Sequence, residues 1–345
     1  MRARTRITAL LVAVATASAL TACGQSEDGP KENVPTVTPA TAAQSPTGGP
    51  APTGTVIGAV PARTVVAGRG DGAKTALLAS DGKSIQLIVA PGAMDTPPPI
   101  TVRVPDLGAL TAAGAGFVGA GRDGLVRIDA QGAVTEQQVD LGGVLSVAVT
   151  GDDRVLVGND RGRLLVLDAD GKIERNIGGF VRVDDITVAP ASAGERAGQV
   201  MVLDQAQSAV VPVDIDTGEL KAALRAGDGA TQAVVDEYGR VLVSGTRTDE
   251  VFAFYGQPIM MRMRAPVPSS PYALAFDNQR KLLWVSSTAE NIVTAYDVAT
   301  GEAKERHRVA SLPQVTSMDV DAAGTLLIAS GRDASLQVVF PNTLP

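Results

Sequence analysis

Few side chains in this sequence have the type and spacing that chemistry requires. It holds one cysteine, Cys23, and one histidine, His307. One thiol and one imidazole cannot assemble a Cys/His zinc site, and a lone cysteine has no disulfide partner in its own chain. No serine lies in a G-x-S-x-G elbow, and no glycine-rich loop is spaced to hold a phosphate or a dinucleotide. A central cation bound by acidic and amide groups would need Asp, Glu or Asn to recur at equivalent positions along the chain, and the sequence reads as lacking that recurrence. His307 lies in the charged run Lys304-Glu-Arg-His-Arg308, which reads as a solvated outer strand. No catalytic residue, metal or cofactor is expected. Mixed charge in short turns remains: Arg122 with Asp123, Asp160 with Arg161, Arg247 with Asp249, and Arg332 with Asp333. Guanidinium forks on one surface could grip a carboxylate or phosphate in bidentate fashion. Equally, exposed Arg/Asp pairs are ordinary soluble turn residues that contribute about 1 kcal/mol or less. Both readings stay open from sequence.

Cys23 gains meaning from the residues before it. Arg2, Arg4 and Arg6 form a positive start, and Ile7 to Ala19 form an apolar stretch too short to span a bilayer as a mature helix. Leu20-Thr21-Ala22-Cys23 comes next. This arrangement resembles the lipobox of bacterial lipoproteins. The resemblance implies that residues 1–22 are a signal peptide and that Cys23 carries a diacylglyceryl group of the palmitate kind. It also places the protein on the extracytoplasmic face of the cell membrane. Two acyl chains, at about 0.8 kcal/mol per buried CH2, anchor far more firmly than one. An ordinary secretory signal with an incidental cysteine is the alternative. Charge points the same way. The sequence has 30 basic and 37 acidic residues; without the three leader arginines 27 basic remain, a net charge near −10. Such a chain has no electrostatic footprint for nucleic acid or for an anionic membrane, so attachment must come from lipid.

Residues 23–61 differ in kind from the remainder of the chain. Pro30, Pro35, Pro39, Pro46, Pro50 and Pro52 alternate with Thr, Ala, Gly and Ser, and large apolar residues are scarce. This composition predicts a disordered tether, about 35 Å from end to end as a flexible coil.

Residues 62–345 read as all-β, with short apolar runs broken by Gly, Asp and Asn. One turn recurs at Asp129-Ala-Gln-Gly132, Asp168-Ala-Asp-Gly171, Asp214-Ile-Asp-Thr-Gly218 and Asp297-Val-Ala-Thr-Gly301, at spacings of 39, 46 and 83. A degenerate copy near Phe254 to Pro258 fills the double interval. A second landmark, an Asp/Gly turn before an apolar strand, is marked by Val155, Val200, Val241, Leu283 and Leu327, at intervals of 45, 41, 42 and 44. A period of this length with four short strands per unit predicts a β-propeller. Seven units are counted: 62–97, 98–143, 144–181, 182–227, 228–266, 267–312 and 313–345; six or eight blades stay open, because the first unit is weak and broken at Pro97-Pro98-Pro99. The last has three convincing strands, and Arg63 to Ala67 is expected to close the ring as its fourth.

Glu290-Asn-Ile-Val-Thr-Ala-Tyr-Asp-Val-Ala-Thr-Gly301 resembles the repeat of YVTN and NHL-like bacterial propellers. With the lipobox, the chain resembles actinobacterial propeller lipoproteins of the LppL type. That resemblance implies architecture and location, not an activity. In such a ring the turns between second and third strands share one face with the blade-to-blade connections, so the four arginine turns, with Arg182 and Arg225 from connecting loops, are expected on one rim. The functional expectation is a non-catalytic binding or scaffolding module for an envelope protein, glycan or small ligand. A hydrolase or lactonase with a central cation, or a carrier of a small apolar or lipidic molecule, are the alternatives.

Overall fold

The computed structural model describes residues 34–344, apart from residues 71 and 94. Cys23, the leader and the first part of the expected tether lie outside the described residues.

Short apolar stretches joined by Asp/Gly turns build seven four-stranded antiparallel sheets around one axis. From the axis outward, blade 1 is Ala62–Ala67, Thr75–Ala79, Ser84–Ile88 and Ile100–Arg103, and blade 2 is Leu107–Ala113, Gly116–Gly121, Gly124–Ile128 and Val134–Gln138. Blade 3 is Val144–Val149, Val155–Asn159, Leu164–Leu167 and Ile173–Ile177. Blade 4 is Asp185–Val188, Val200–Asp204, Ala209–Val213 and the two-residue Leu224–Arg225. Blade 5 is Ala230–Val235, Val241–Gly245, Glu250–Tyr255 and Met260–Pro266, and blade 6 is Pro271–Asp277, Leu282–Ser287, Ile292–Asp297 and Lys304–Ala310. Blade 7 takes Val315–Val320, Leu326–Ser330 and Ser335–Val339 from the C-terminal end and Thr55–Gly58 from the N-terminal side. The chain is a seven-bladed β-propeller.

Turn chemistry explains the regularity. Asp129 Oδ1 accepts the backbone N–H groups of Gln131, Gly132 and Ala133 at 2.9, 2.8 and 2.8 Å, while Gly132 takes φ +96°. The carboxylate rewards a left-handed turn that only glycine enters freely. Those donors, the Ala133 N–H first, hold the Asp129 carboxyl below its usual range. Asp321 does the same before Leu326, accepting from Ala323 and Thr325 at 2.9 and 2.8 Å.

The core is a set of seams rather than one nucleus. Each of seven buried apolar clusters joins two neighbouring blades. Trp284 of blade 6, 1% exposed, packs with Met318, Leu326 and Ile328 of blade 7, as its apolar neighbours predict. Leu327, Leu336 and Val338 of blade 7 meet Ala62, Val65 and Leu77 of blade 1, so the ring is sealed.

Three expectations are corrected. Ala62–Ala67 is the innermost strand of blade 1, and ring closure belongs to Thr55–Gly58, paired antiparallel to Ser335–Val339 with Thr55 opposite Val338. Unit 1 extends to Arg103, because Ile100–Arg103 pairs with Ser84–Leu87 and not with blade 2. Residues 34–54, expected to be disordered tether, lie against the disc, with Ala40 and Ser45 8% and 4% exposed. A proline-rich stretch cannot build its own core, but its carbonyls and N–H groups find partners on a surface that another part of the chain has already built.

Candidate functional site

Within every blade the chain alternates direction, so the turns between second and third strands and the blade-to-blade connections share one face, the rim. The turns after first and third strands share the other. Arg122 and Asp123 stand exposed in the rim turn of blade 2, and Asp160 and Arg161 in that of blade 3. Their backbones tie the rim to the connection between these blades: the Arg122 and Asp123 carbonyls accept from Leu141 and Val139 at 2.9 and 3.0 Å, and the Asp160 N–H donates to Gly143 at 2.9 Å. Among the described residues no ion pair joins Arg122 to Asp123 or Arg161 to Asp160. Arg332 and Asp333, in the turn of blade 7, do pair at 2.9 Å. Arg247, in the turn of blade 5, pairs with Asp228 at 3.1 Å and not with Asp249. Asp249 instead accepts the Ser270 N–H at 2.8 Å. Arg182 is pinned to Asp184 at 2.8 Å in the connection into blade 4. Arg225 ends the outer strand of that blade, not a connecting loop, and donates to the Gln207 carbonyl at 3.3 Å. The rim residues therefore share a face without converging on one point.

Part of that rim is already occupied by the chain itself. The Val37 N–H donates to Ala206 O at 2.7 Å in the rim turn of blade 4. Arg247 donates to the Thr38 carbonyl, and the Ala43 N–H reaches Ser270 Oγ at 3.3 Å between blades 5 and 6. Ser45 exchanges two hydrogen bonds with Gln314, at 3.2 and 2.6 Å, and donates to Thr288 O at 3.0 Å. Asn291 Nδ2 donates to Pro46 O at 3.2 Å. Residues 37–46 thus form a strap over blades 4 to 6 and on to the connection into blade 7. The strap continues past Ala310 and Gln337, which hold Thr53, into the closing strand. The rim turns of blades 2 and 3 lie outside its path.

A cavity opens on the opposite face. It has a volume of about 640 Å³ and is bounded by the far ends of the first strands and the turns after them. Val66, Ile186, Val188, Leu274 and Met318 supply apolar wall, while Arg69, Asn278, Gln279 and Asp319 supply polar groups near the mouth. Towards the rim the channel narrows, and Gln232 of blade 5 donates from Nε2 to the Thr316 carbonyl of blade 7 at 2.9 Å.

Polar side chains on the first strands solve a problem set by the fold. Each innermost strand turns one hydrogen-bonding edge toward the axis, where no strand can pair with it. Asp185 of blade 4 accepts the Ala233 N–H of blade 5 at 2.9 Å, and Gln232 accepts the Leu274 N–H of blade 6 at 3.3 Å. Ser317 and Asp319 of blade 7 accept the Val65 and Ala67 N–H groups of blade 1 at 3.2 and 2.9 Å. Burial pushes the Asp185 carboxyl up to about 6 against the pull of the Ala233 and Ile186 N–H groups. Burial pushes Asp319 up as well, opposed by the Ala67 N–H and by the positive charge of Arg69. Sequence reasoning missed these residues, and expected no acidic recurrence on inner strands. Asp185 and Asp319 do lie on inner strands, but at different register positions, opposite Leu203 and Leu327 of their second strands, so no equivalent position repeats. The signal was a polar residue inside an otherwise apolar first strand, as in Asp185-Ile-Thr-Val and Ser317-Met-Asp-Val.

No protein-family model matches the chain, and no curated protein does. Solved structures do share its architecture. A streptogramin B lyase is 11% identical with a TM-score of 0.64, spanning 84% of this chain and 96% of that one. Virginiamycin B lyase from Staphylococcus aureus is 12% identical with a TM-score of 0.62, over 83% and 98%. The WD40 β-propeller domain of Doa1 is 15% identical with a TM-score of 0.65, over 83% and 96%. At these identities the likeness is one of fold, shared by lyases and a WD40 domain alike.

Chemically, the arrangement can hold a molecule in a semi-apolar funnel and present charge at its mouth. Among the described residues no group of three His, Cys, Asp or Glu side chains is placed to hold a metal ion. His307 lies on the outermost strand of blade 6, stacked on Trp284 with ring centroids 6.3 Å apart, outside the cavity lining.

Proposed function

We propose that this protein is a lipid-anchored, extracytoplasmic β-propeller that binds its partner without transforming it, as a recognition or scaffolding module of the cell envelope. One observation carries the non-catalytic reading. The acidic groups that line the cavity are all engaged: Asp319 on the Ala67 N–H of the next blade, Asp277 on Arg280 at 2.6 Å, and Asp321 on N–H groups of its own turn. With Asp185 on the inner strand of blade 4 stapled to the Ala233 N–H, none stands free to exchange a proton with a substrate. The position of the sole histidine supports it. A histidine-to-alanine variant of the Staphylococcus aureus virginiamycin B lyase is catalytically inactive, whereas His307 here stands on an outer strand. The Leu20-Thr21-Ala22-Cys23 sequence supports the anchor, with Cys23 acylated and residues 1–22 removed. Two surfaces are available to an envelope protein, glycan or small ligand: the cavity mouth, and the rim turns with Arg122, Asp123, Asp160 and Arg161. An apolar or lipidic ligand is the second reading, favoured by the aliphatic wall and by a volume in the range of small-molecule pockets.

Site-specific photo-crosslinkers at Asn278, on the cavity face, and at Arg161, on the rim, test this in intact actinobacterial cells expressing the full chain. A discrete adduct from one position and not the other is expected. Turnover of a lactone or ester panel that is abolished by Asp319→Asn would overturn the non-catalytic reading. A mature protein without acyl mass on Cys23 would overturn the anchor.

A further inference from the structure

We infer that the cavity receives a small aliphatic carboxylate, its hydrocarbon body on the wall and its anionic head at the mouth, where Arg69 and Asn278 offer donors. The inference rests on the reading of the cavity as a small-ligand site and names the class of ligand. It follows from which hydrogen-bonding side chains of the lining the protein has already engaged. The carboxylates are engaged. Asp319 accepts from Ala67 and Val320 at 2.9 and 2.8 Å. Asp277 accepts from the Gln279 and Arg280 N–H groups and from the Arg280 guanidinium. Asp321 accepts from two N–H groups of its own turn. The Gln279 amide donates to the Ala322 carbonyl.

Donors remain. Arg69 is the one cation among the described lining residues. It is exposed, and among the described residues its guanidinium makes no hydrogen bond or ion pair. Its positive charge reaches Asp319, but that carboxylate is tied to N–H groups and forms no ion pair with it. Asn278 gives Oδ1 to the Glu237 N–H of blade 5 at 3.1 Å, which leaves its two Nδ2 hydrogens without a described partner. Thr187, on the wall and 6% exposed, has a hydroxyl with no partner among the described residues. A guest that brings oxygen acceptors fits these groups, and one that brings donors does not. Among acceptors, a carboxylate gains most from a guanidinium, which can hold it through two parallel bonds. The backbone fixes where that head would sit: the Gly68 N–H donates to Lys74 O at 2.8 Å, and the Arg69 N–H to Gly114 O of blade 2 at 2.9 Å. Val66, Ile186, Val188, Leu274 and Met318 then meet the aliphatic body.

Isothermal titration calorimetry on the full chain, with decanoate, decanol and decylamine each below its micelle concentration, tests this. Decanoate should bind most tightly and decylamine least. Arg69→Ala should weaken decanoate about tenfold or more while changing decanol little. Arg103→Ala makes the same charge change on the outer strand of blade 1 and should leave decanoate binding as it is. Circular dichroism checks that each variant is folded. Decylamine bound as tightly as decanoate, or an Arg69→Ala protein that holds decanoate at wild-type strength, would overturn the inference and leave the cavity a small-ligand site. Absence of binding for all three compounds would remove that reading as well.

Discussion

Asp185 shows how one side chain can serve the fold and tax it at once. Its oxygens satisfy two N–H groups that no strand can reach, yet burial holds the carboxyl up at about 6. The folded state therefore binds this proton more tightly than the unfolded chain does. Its contribution to stability is complete below the ordinary Asp value near 3.8 and is lost as pH rises through about 6. Asp185→Asn keeps an oxygen for the Ala233 N–H and removes the charge. We expect it to gain on the wild type between pH 4 and 7, to about 3 kcal/mol at neutrality, read from urea midpoints across that range. Parallel curves for the two proteins would show that the carboxyl does not titrate in this window. Trp284 offers a second residue-scale check, since it is the only tryptophan and is buried in the seam of blades 6 and 7. Trp284→Ala should cost about 3–5 kcal/mol, measured by chemical unfolding followed with circular dichroism.

At the scale of elements, the turns are legible in the sequence and the pairings are not. Asp129 and Asp321 advertise their turns because a carboxylate and a glycine three residues on specify a local hydrogen-bond pattern. Thr55-Val-Ile-Gly58 carries no such signal. Four residues at the end of a Pro, Gly and Thr-rich stretch become a strand only because the edge of Ser335–Val339 waits for them. Ile100–Arg103 falls in the wrong unit by sequence for the same reason, its partner lying across the Pro97-Pro98-Pro99 break. A chain beginning at residue 62 should therefore be less stable than one beginning at residue 54. Four lost cross-strand pairs suggest about 1–4 kcal/mol, and the bared edge should promote association. Thermal unfolding and size-exclusion chromatography of the two chains measure both effects. Equal midpoints would mean that closure by this strand contributes nothing.

The molecule as a whole is a ring of seven seams, and a ring has no end at which unfolding can start cheaply. Leu78, fully buried between blades 1 and 2, lies in a different seam from Trp284. Leu78→Ala should cost about 2–5 kcal/mol. If the ring unfolds as one unit, Trp284 fluorescence and far-UV circular dichroism should shift together to the same lower midpoint. A fluorescence midpoint that stays in place while part of the dichroism is lost would show that the blades melt separately.

Periodicity alone pointed to a ring of like four-stranded sheets, because turn residues act through bonds a few positions away and are written where they act; that the sheets number seven was decided by the closed structure. The composition of residues 23–61 likewise predicted a segment with too little apolar surface to build a core of its own. Where that segment comes to rest, which short strand completes the last blade, which carboxylates fasten one blade to the next, and that the cavity and the arginine turns lie on opposite faces were decided only by the closed structure. Each depends on groups distant in sequence, such as Ser45 and Gln314 or Asp319 and Ala67, whose meeting follows from the geometry of the whole ring.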